Sequence, residues 1–425
     1  MNNITNLESR LSHPNKTERL TALRNLMRLH HDNPSTLPPK TTYVNNHIHT
    51  VYSFSPYTPA SAAYTAWKSG LSTAGIMDHD TIAGAHEFIE SGKIIGIATT
   101  IGFECRCKMD STPFNGRYIN SPDQHSVAYM AAHGIPHQNI EKAQNWLAPY
   151  REARGLRNHQ MVDNINNLTV KLGVILDYDN NVLPISYAHE NGSVTERHIL
   201  YALAEKITSK TGRGLPALDF LSRLGLNITG KTRDQLLQSN DDMYEYYLLG
   251  ALKSDFVEMF YIPPTDECPN VLDFVTFMRE IDGISAYPYL GDVEDSVTGD
   301  KKTQTFEDSY LDELVDWLAK AGFNAVTYMP ARNTPEQLTR LMKLCEQHSL
   351  FQISGEDINT PFQSFICSAL DLPQYKHLVD STWALIGHEL AATKDIRDAM
   401  FSPETKAKAP NLAQRIDVYK NIGTL

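Results

Sequence analysis

His47 and His49 stand one residue apart in a short apolar segment, Tyr43-Val44 leading into His47-Ile48-His49. Side chains alternate along an extended strand, so both imidazoles leave it on the same face. Neutral imidazole is a common ligand for zinc, manganese and iron. Two polar loop histidines are the bland alternative. A second cluster, Asp78-His79-Asp80, follows the apolar run Ala74-Gly-Ile-Met77, and Glu104 follows the run Ile94–Ile101. Asp357 comes after Leu350 to Ser354 in the last clear strand. Ionisable groups gathered where buried strands end are costly to desolvate unless they pair or bind a cation. Each also has a structural reading: Asp80 could cap a helix starting near Thr81, Glu104 could pair with Arg106, and Asp357 could cap the segment after it.

The elements that must position these residues alternate. Short apolar strands are expected at 43–49, 74–77, 94–101, 283–286, 324–328 and 350–354. Helices are expected at 60–69, 83–92, 271–281, 306–321 and 335–348. This rhythm indicates parallel βα units, and α/β barrels place their sites at the C-terminal ends of such strands. Residues 1–40 read as an N-terminal helical extension, with a helix from Glu18 to His31 and a Pro-rich stop. Residues 41–107 and 263–400 carry the barrel pattern. The stretch 108–262 is more polar and reads as an inserted, mostly helical capping region; 401–425 reads as a C-terminal tail.

The chain has 425 residues, 41% hydrophobic and 21% charged, which is ordinary globular composition. Its net charge of −12 argues against a broad basic face for a nucleic-acid duplex, though not against a pocket for a small phosphate. The five cysteines are odd in number and scattered, which fits a reducing cytosol. Cys105 and Cys107 sit closer together than paired zinc thiolates usually do. No signal peptide or membrane-length apolar run is read, so a cytoplasmic protein is expected.

His47-Ile-His49-Thr50, Asp78-His-Asp-Thr-Ile-Ala-Gly84, Gly102-Phe-Glu104 and Gly355-Glu-Asp357 resemble the motifs of the PHP (polymerase and histidinol phosphatase) family. Thr195-Glu-Arg-His198-Ile-Leu-Tyr-Ala-Leu203 is similar to the Thr-x-x-His-x-x-x-x-Leu helix of its phosphoesterase branch. The resemblance implies a distorted (β/α)7 TIM-like barrel carrying up to three divalent metals. It implies a first metal held by His47, His49, Glu104 and Asp357. Further ligands would come from His79, with Asp78 beside it, and from a histidine after the glutamate, His125 or else His133. The chain departs from the family pattern at Phe54, where Asp is usual, at Tyr287, where His is usual, and at Asn359, where His is usual. One firm metal site, zinc, manganese or iron, and at most a second are therefore expected.

What the resemblance implies for function is hydrolysis of a small phosphorylated metabolite or nucleotide by metal-activated water. His198 would contact the phosphate or protonate the leaving oxygen, and His79 would lie by a second metal. Arginine matches phosphate geometry by bidentate donation, which makes Arg106, Arg197 and Arg332 candidates. Tyr287, Asn359 and His133 are further candidates for substrate contact. Two other readings stand beside this one: a one-metal amidohydrolase-like enzyme, and a catalytically weak barrel kept for binding or regulation.

Overall fold

The computed structural model describes residues 2–121, 124–292 and 305–424. Seven strands form one sheet in chain order: β1 (Val44–Ile48), β2 (Thr73–His79), β3 (Ala98–Lys108), β4 (Val127–His133), β5 (Ile284–Pro288), β6 (Ala325–Tyr328) and β7 (Phe351–Ser354). All neighbours are parallel except β4, which runs antiparallel to both β3 and β5. The sheet curls until the segment after β7 meets β1: the Ile358 amide donates to His47 O at 3.0 Å and the His49 amide to Ile358 O at 2.9 Å. The fold is a distorted seven-stranded TIM-like barrel, as expected.

The helices are α1 (Asn2–Arg10), α2 (Lys16–Asp32), α3 (Pro59–Lys68), α4 (Ala85–Ile95), α5 (Ile140–Thr169), α6 (Glu196–Thr211), α7 (Leu215–Arg223), α8 (Gly230–Leu237), α9 (Tyr244–Asp255), α10 (Val257–Phe260), α11 (Val271–Glu280), α12 (Leu311–Ala321), α13 (Pro335–His348), α14 (His377–Lys394), α15 (Pro403–Lys408) and α16 (Leu412–Gly423). Local chemistry sets several of these boundaries. Thr58 and Thr334 cap α3 and α13 ahead of a proline in the first turn. Leu311, Leu314, Val315 and Leu318 put one buried stripe on α12.

Two expectations shift. Ile94 and Ile95 belong to α4, which ends where Gly96 takes a left-handed conformation (φ 81°). The third strand starts later and runs past Glu104, because β4 pairs with it as far as Lys108. β4 lies within 108–262, the stretch read as mostly helical, yet it is a strand of the barrel sheet.

The outer helices pack on one face of the sheet in a core that includes Ile76, Phe103, Phe274 and Leu338. On the other face α14 lies against Met77, Ala131, Ile284, Ala286 and Phe351 through Ala384 and Leu385. Glu389 of α14 accepts hydrogen bonds from Thr100 Oγ1 (2.7 Å) and the Ile101 amide (2.9 Å), closing that end of the barrel. The N-terminal helices are bound to it as well: Arg19 of α2 is fully buried and pairs with Glu87 of α4 at 2.5 Å. Residues between 161 and 260 form a separate apolar core, which Phe54 joins from the barrel.

Candidate metal centre

β1 is buried along its whole length, and alternation aims His47 and His49 at the barrel interior. The Ile358 bridge to β1 brings Asp357 beside them. On the next strands His79 pairs directly with Glu104, which places both side chains on one face. Four contacts result: His47 Nε2 to Glu104 Oε2 at 3.6 Å, His49 Nε2 to Glu104 Oε1 at 3.5 Å, His49 Nε2 to Asp357 Oδ1 at 3.1 Å, and His79 Nδ1 to Glu104 Oε1 at 2.9 Å. Two triads with ligand spacing share His49: His47/His49/Asp357 and His49/His79/Glu104.

The donor set fits a divalent cation. His49 is 1% exposed, and its Nε2 has two carboxylates within 3.5 Å yet makes no aligned hydrogen bond among the described residues. A buried polar atom left so is costly unless something else satisfies it. Its other nitrogen, Nδ1, lies 3.2 Å from Ser53 Oγ, which donates to Asp78 Oδ1 at 2.5 Å. The serine proton is thus committed to Asp78, so Nδ1 carries the imidazole proton and Nε2 presents its lone pair to the centre. Imidazole with carboxylate suits zinc, manganese or iron.

Electrostatics agree with the geometry. Burial opposes charge on Glu104, but His79 and His47 outweigh it and hold the carboxyl well below its usual range. Burial likewise opposes charge on Asp357, and His49 and His47 overcome it. Burial works against a proton on His47, yet Glu104 and then Asp357 raise its pKa. For His79 burial prevails, and the pKa falls.

Other expected residues are placed elsewhere. Asp78 takes the face opposite His79 and accepts from the Thr50 amide (2.7 Å) and the Thr50 hydroxyl (2.6 Å), so it builds the turn after β1. Asp80 does not cap a helix, since α4 begins at Ala85; it pairs with Arg154. His125 is exposed, bonds Gly116 O at 3.0 Å and lies tilted against the Tyr118 ring; it lies beyond Val127, the partner of Lys108, whereas Glu104 pairs with Ala131. His133 shares the interior face two residues along from Ala131, opposite Gly102. It is 1% exposed, burial pushes its pKa down to about 3, and its Nε2 has no hydrogen-bond partner among the described residues. Tyr287 falls on the opposite face from Ala286 and Glu104, among the outer-helix core. Arg332 Nε donates to Leu290 O at 3.1 Å.

Arg106 is drawn into a buried network with Arg154 and Arg157 on one side and Asp80, Glu196 and Glu267 on the other. Its NH1 donates to Tyr261 Oη at 2.9 Å and its NH2 to Glu196 at 3.0 Å. Three cations face three anions, which balances charge that would otherwise be prohibitive to bury. His198, at the start of α6, accepts the Thr195 amide on Nδ1 at 3.0 Å, and burial lowers its pKa to about 3. It is therefore a neutral imidazole with its proton on Nε2, a hydrogen-bond donor. Asn359 lies next to the group: its Nδ2 donates to Asp357 Oδ1 at 2.7 Å, and its Oδ1 accepts from Arg197 at 2.6 Å.

Three neighbours were not picked out from sequence. Ser53 orients His49. Arg154, in the middle of α5, holds Asp80. Tyr129 on β4 pairs with Arg106 and sets its ring 5.9 Å from that of His79. Only Ser53 had a local signal, three residues after the histidine pair's Thr50. Cys105 and Cys107 are buried free thiols with sulfurs 3.8 Å apart, and burial raises the Cys105 pKa.

No protein-family model matches the chain, and no curated protein matches it in sequence. Among solved structures it is similar to a protein from Bifidobacterium adolescentis assigned as a metal-dependent phosphoesterase. That match has 20% identity, a TM-score of 0.50, and covers 78% of this chain and 94% of that one. It is also similar to an amidohydrolase from Chromobacterium violaceum solved with bound sulfate and no metal, at 14% identity, a TM-score of 0.49, and 76% and 90% coverage. At such identities the likeness is one of fold. Among the described residues, no helix is long and apolar enough to cross a membrane.

Proposed function

We propose that the chain is a metal-dependent hydrolase, and specifically a phosphoesterase acting on a small phosphorylated metabolite or nucleotide. The observation that carries this reading is the convergence of His47, His49, His79, Glu104 and Asp357, with the buried His49 Nε2 left for a ligand. A divalent cation held there supplies Lewis acidity and lowers the pKa of water. Glu104 turns one oxygen towards His47 and the other towards His49 and His79, so it would be among the residues holding a cation there. Ser53 fixes the tautomer of His49, and Asn359 holds Asp357. His198 provides a neutral N–H for an anionic oxygen. The arginines of the buried network keep the strand ends in place, their charge being already matched by carboxylates.

The test is activity after chelation and readdition of manganese or zinc. Phosphate release from a generic aryl phosphate should return with metal in the wild type and stay at background in His49→Ala. Survival of activity in His49→Ala at unchanged metal content would refute the site. Turnover of amides or lactones without phosphate release would replace the reaction class. A chain inert to all three classes would point to a binding or regulatory barrel.

A further inference from the structure

The first turn of α6 carries Glu196, Arg197 and His198 in succession, and each reaches the metal group through neighbours in the barrel or α5. Glu196 Oε2 accepts from Arg154 at 2.9 Å, and Arg154 pairs with Asp80, next to His79. His198 packs against Phe54, which follows Ser53, the partner of His49. Arg197 has the most direct route, through Asn359 to Asp357.

This last route has a particular logic. Asp357 is the most exposed member of the group, with 30% of its side chain accessible against 9% for Glu104. Packing therefore fixes its rotamer less than a hydrogen bond can. An asparagine amide has one accepting and one donating end, and which way it points is decided by its partners. Arg197 NH1 occupies Oδ1, which turns Nδ2 towards Asp357 Oδ1, the oxygen 3.1 Å from His49 Nε2. Turned the other way, the amide would set its oxygen against a carboxylate. The backbone here is braced separately: Gln363 Oε1 accepts from the Asn359 and Thr360 amides at 2.8 Å, and Gln363 Nε2 donates to Asp357 O at 2.5 Å.

We propose that Arg197 is a positioning residue for the metal centre, orienting the Asn359 amide so that it holds Asp357 in place as a ligand. Arg197 then does not serve as a phosphate anchor. Because it sits on α6, the seating of that helix over the barrel and the affinity for the cation are coupled. The proposal rests on the metal reading above and assigns a role to a residue outside the ligand set.

The test is Mn2+ binding to the full-length apoprotein, followed by equilibrium dialysis. Loss of an outer partner of a ligand typically weakens metal affinity by about 10–100-fold. Arg197→Ala and Asn359→Ala should each show a loss of that order, and the double variant no more than the larger single effect. Arg197→Lys should recover part of the loss, since an ammonium can still donate to Oδ1. Asn359→Asp should bind as poorly as Asn359→Ala, because it exchanges the donor for a second carboxylate; being isosteric, it carries the test if Arg197→Ala does not fold. Wild-type affinity in Arg197→Ala, or single effects that add in the double variant, would overturn the proposal alone. A wild type that binds no Mn2+, or a His49→Ala protein that binds it as tightly, overturns the metal reading and this proposal with it.

Discussion

The Phe54 ring meets the imidazole of His198 edge-on, with centroids 5.0 Å apart and planes at 85°. Phe54 holds a left-handed backbone (φ 73°), which is uncommon for a bulky residue. Apart from it, that apolar core is drawn from residues 161–260, including Ile199, Leu203 and Leu248. Phe54, where the resembled pattern usually has Asp, is here an apolar side chain that joins the barrel to the core of residues 161–260.

Phe54→Ala should therefore loosen the core formed by residues 161–260. Removing a buried phenyl ring typically costs about 3–5 kcal/mol, read as a lower first thermal transition and faster proteolysis within 161–260. Phe54→Asp should be at least as damaging and should add no metal equivalent, since its carboxylate would enter an apolar core. An added metal equivalent in Phe54→Asp would contradict this placement.

Ser53→Ala tests the tautomer argument. Without the hydroxyl, His49 Nδ1 loses its acceptor and Asp78 one of its donors. Cation affinity should fall about 10–100-fold with the fold intact, and Ser53→Thr should restore much of it. Unchanged affinity by calorimetric titration would show that Ser53 does not set the state of His49.

The barrel was legible where the sequence alternated apolar strands with amphipathic helices, as at β1, β2, β6, β7 and α13. β4 was missed although Val127–His133 is an apolar run, because it pairs antiparallel on both sides and one partner, β5, is remote in sequence, which breaks the parallel βα rhythm. The clustering of His47, His49, Glu104 and Asp357 followed from their places at strand ends. Asp78 and His79 could not both face the interior, since adjacent strand residues point to opposite faces. Tyr287 needed the register of β5, and the commitment of Arg106 to Glu196 needed a contact across 90 residues.

Within the C-terminal stretch, α16 (Leu412–Gly423) packs closely on α14. A Cβ on Gly387 of α14 would lie 1.8 Å from Tyr419 O and 3.0 Å from the Gly423 nitrogen, both on α16. Gly387→Ala should force α16 away. Overpacking of this kind typically costs about 1–3 kcal/mol, and early proteolytic release of the last helix should accompany it. A melting curve superimposable on the wild type would refute the contact.

Glu307 makes stability depend on pH on the neutral side. It is fully buried, and although its Oε1 accepts from the Leu290 amide at 2.8 Å and the Gly291 amide at 3.3 Å, burial raises its pKa from 4.5 to about 7. The folded chain thus keeps a proton that the unfolded chain releases at lower pH. The stabilisation is full below about 4.5, declines as pH rises through the interval up to about 7, and is flat above it. Each pH unit in that interval costs up to about 1.4 kcal/mol, about 3 kcal/mol in all. Other groups titrate over the same range, so the comparison is with Glu307→Gln, which keeps the oxygen that accepts from Leu290 but cannot ionise. Between pH 4.5 and 8 the wild-type melting temperature should fall relative to the variant's, and parallel curves would show that Glu307 is ionised in the folded chain.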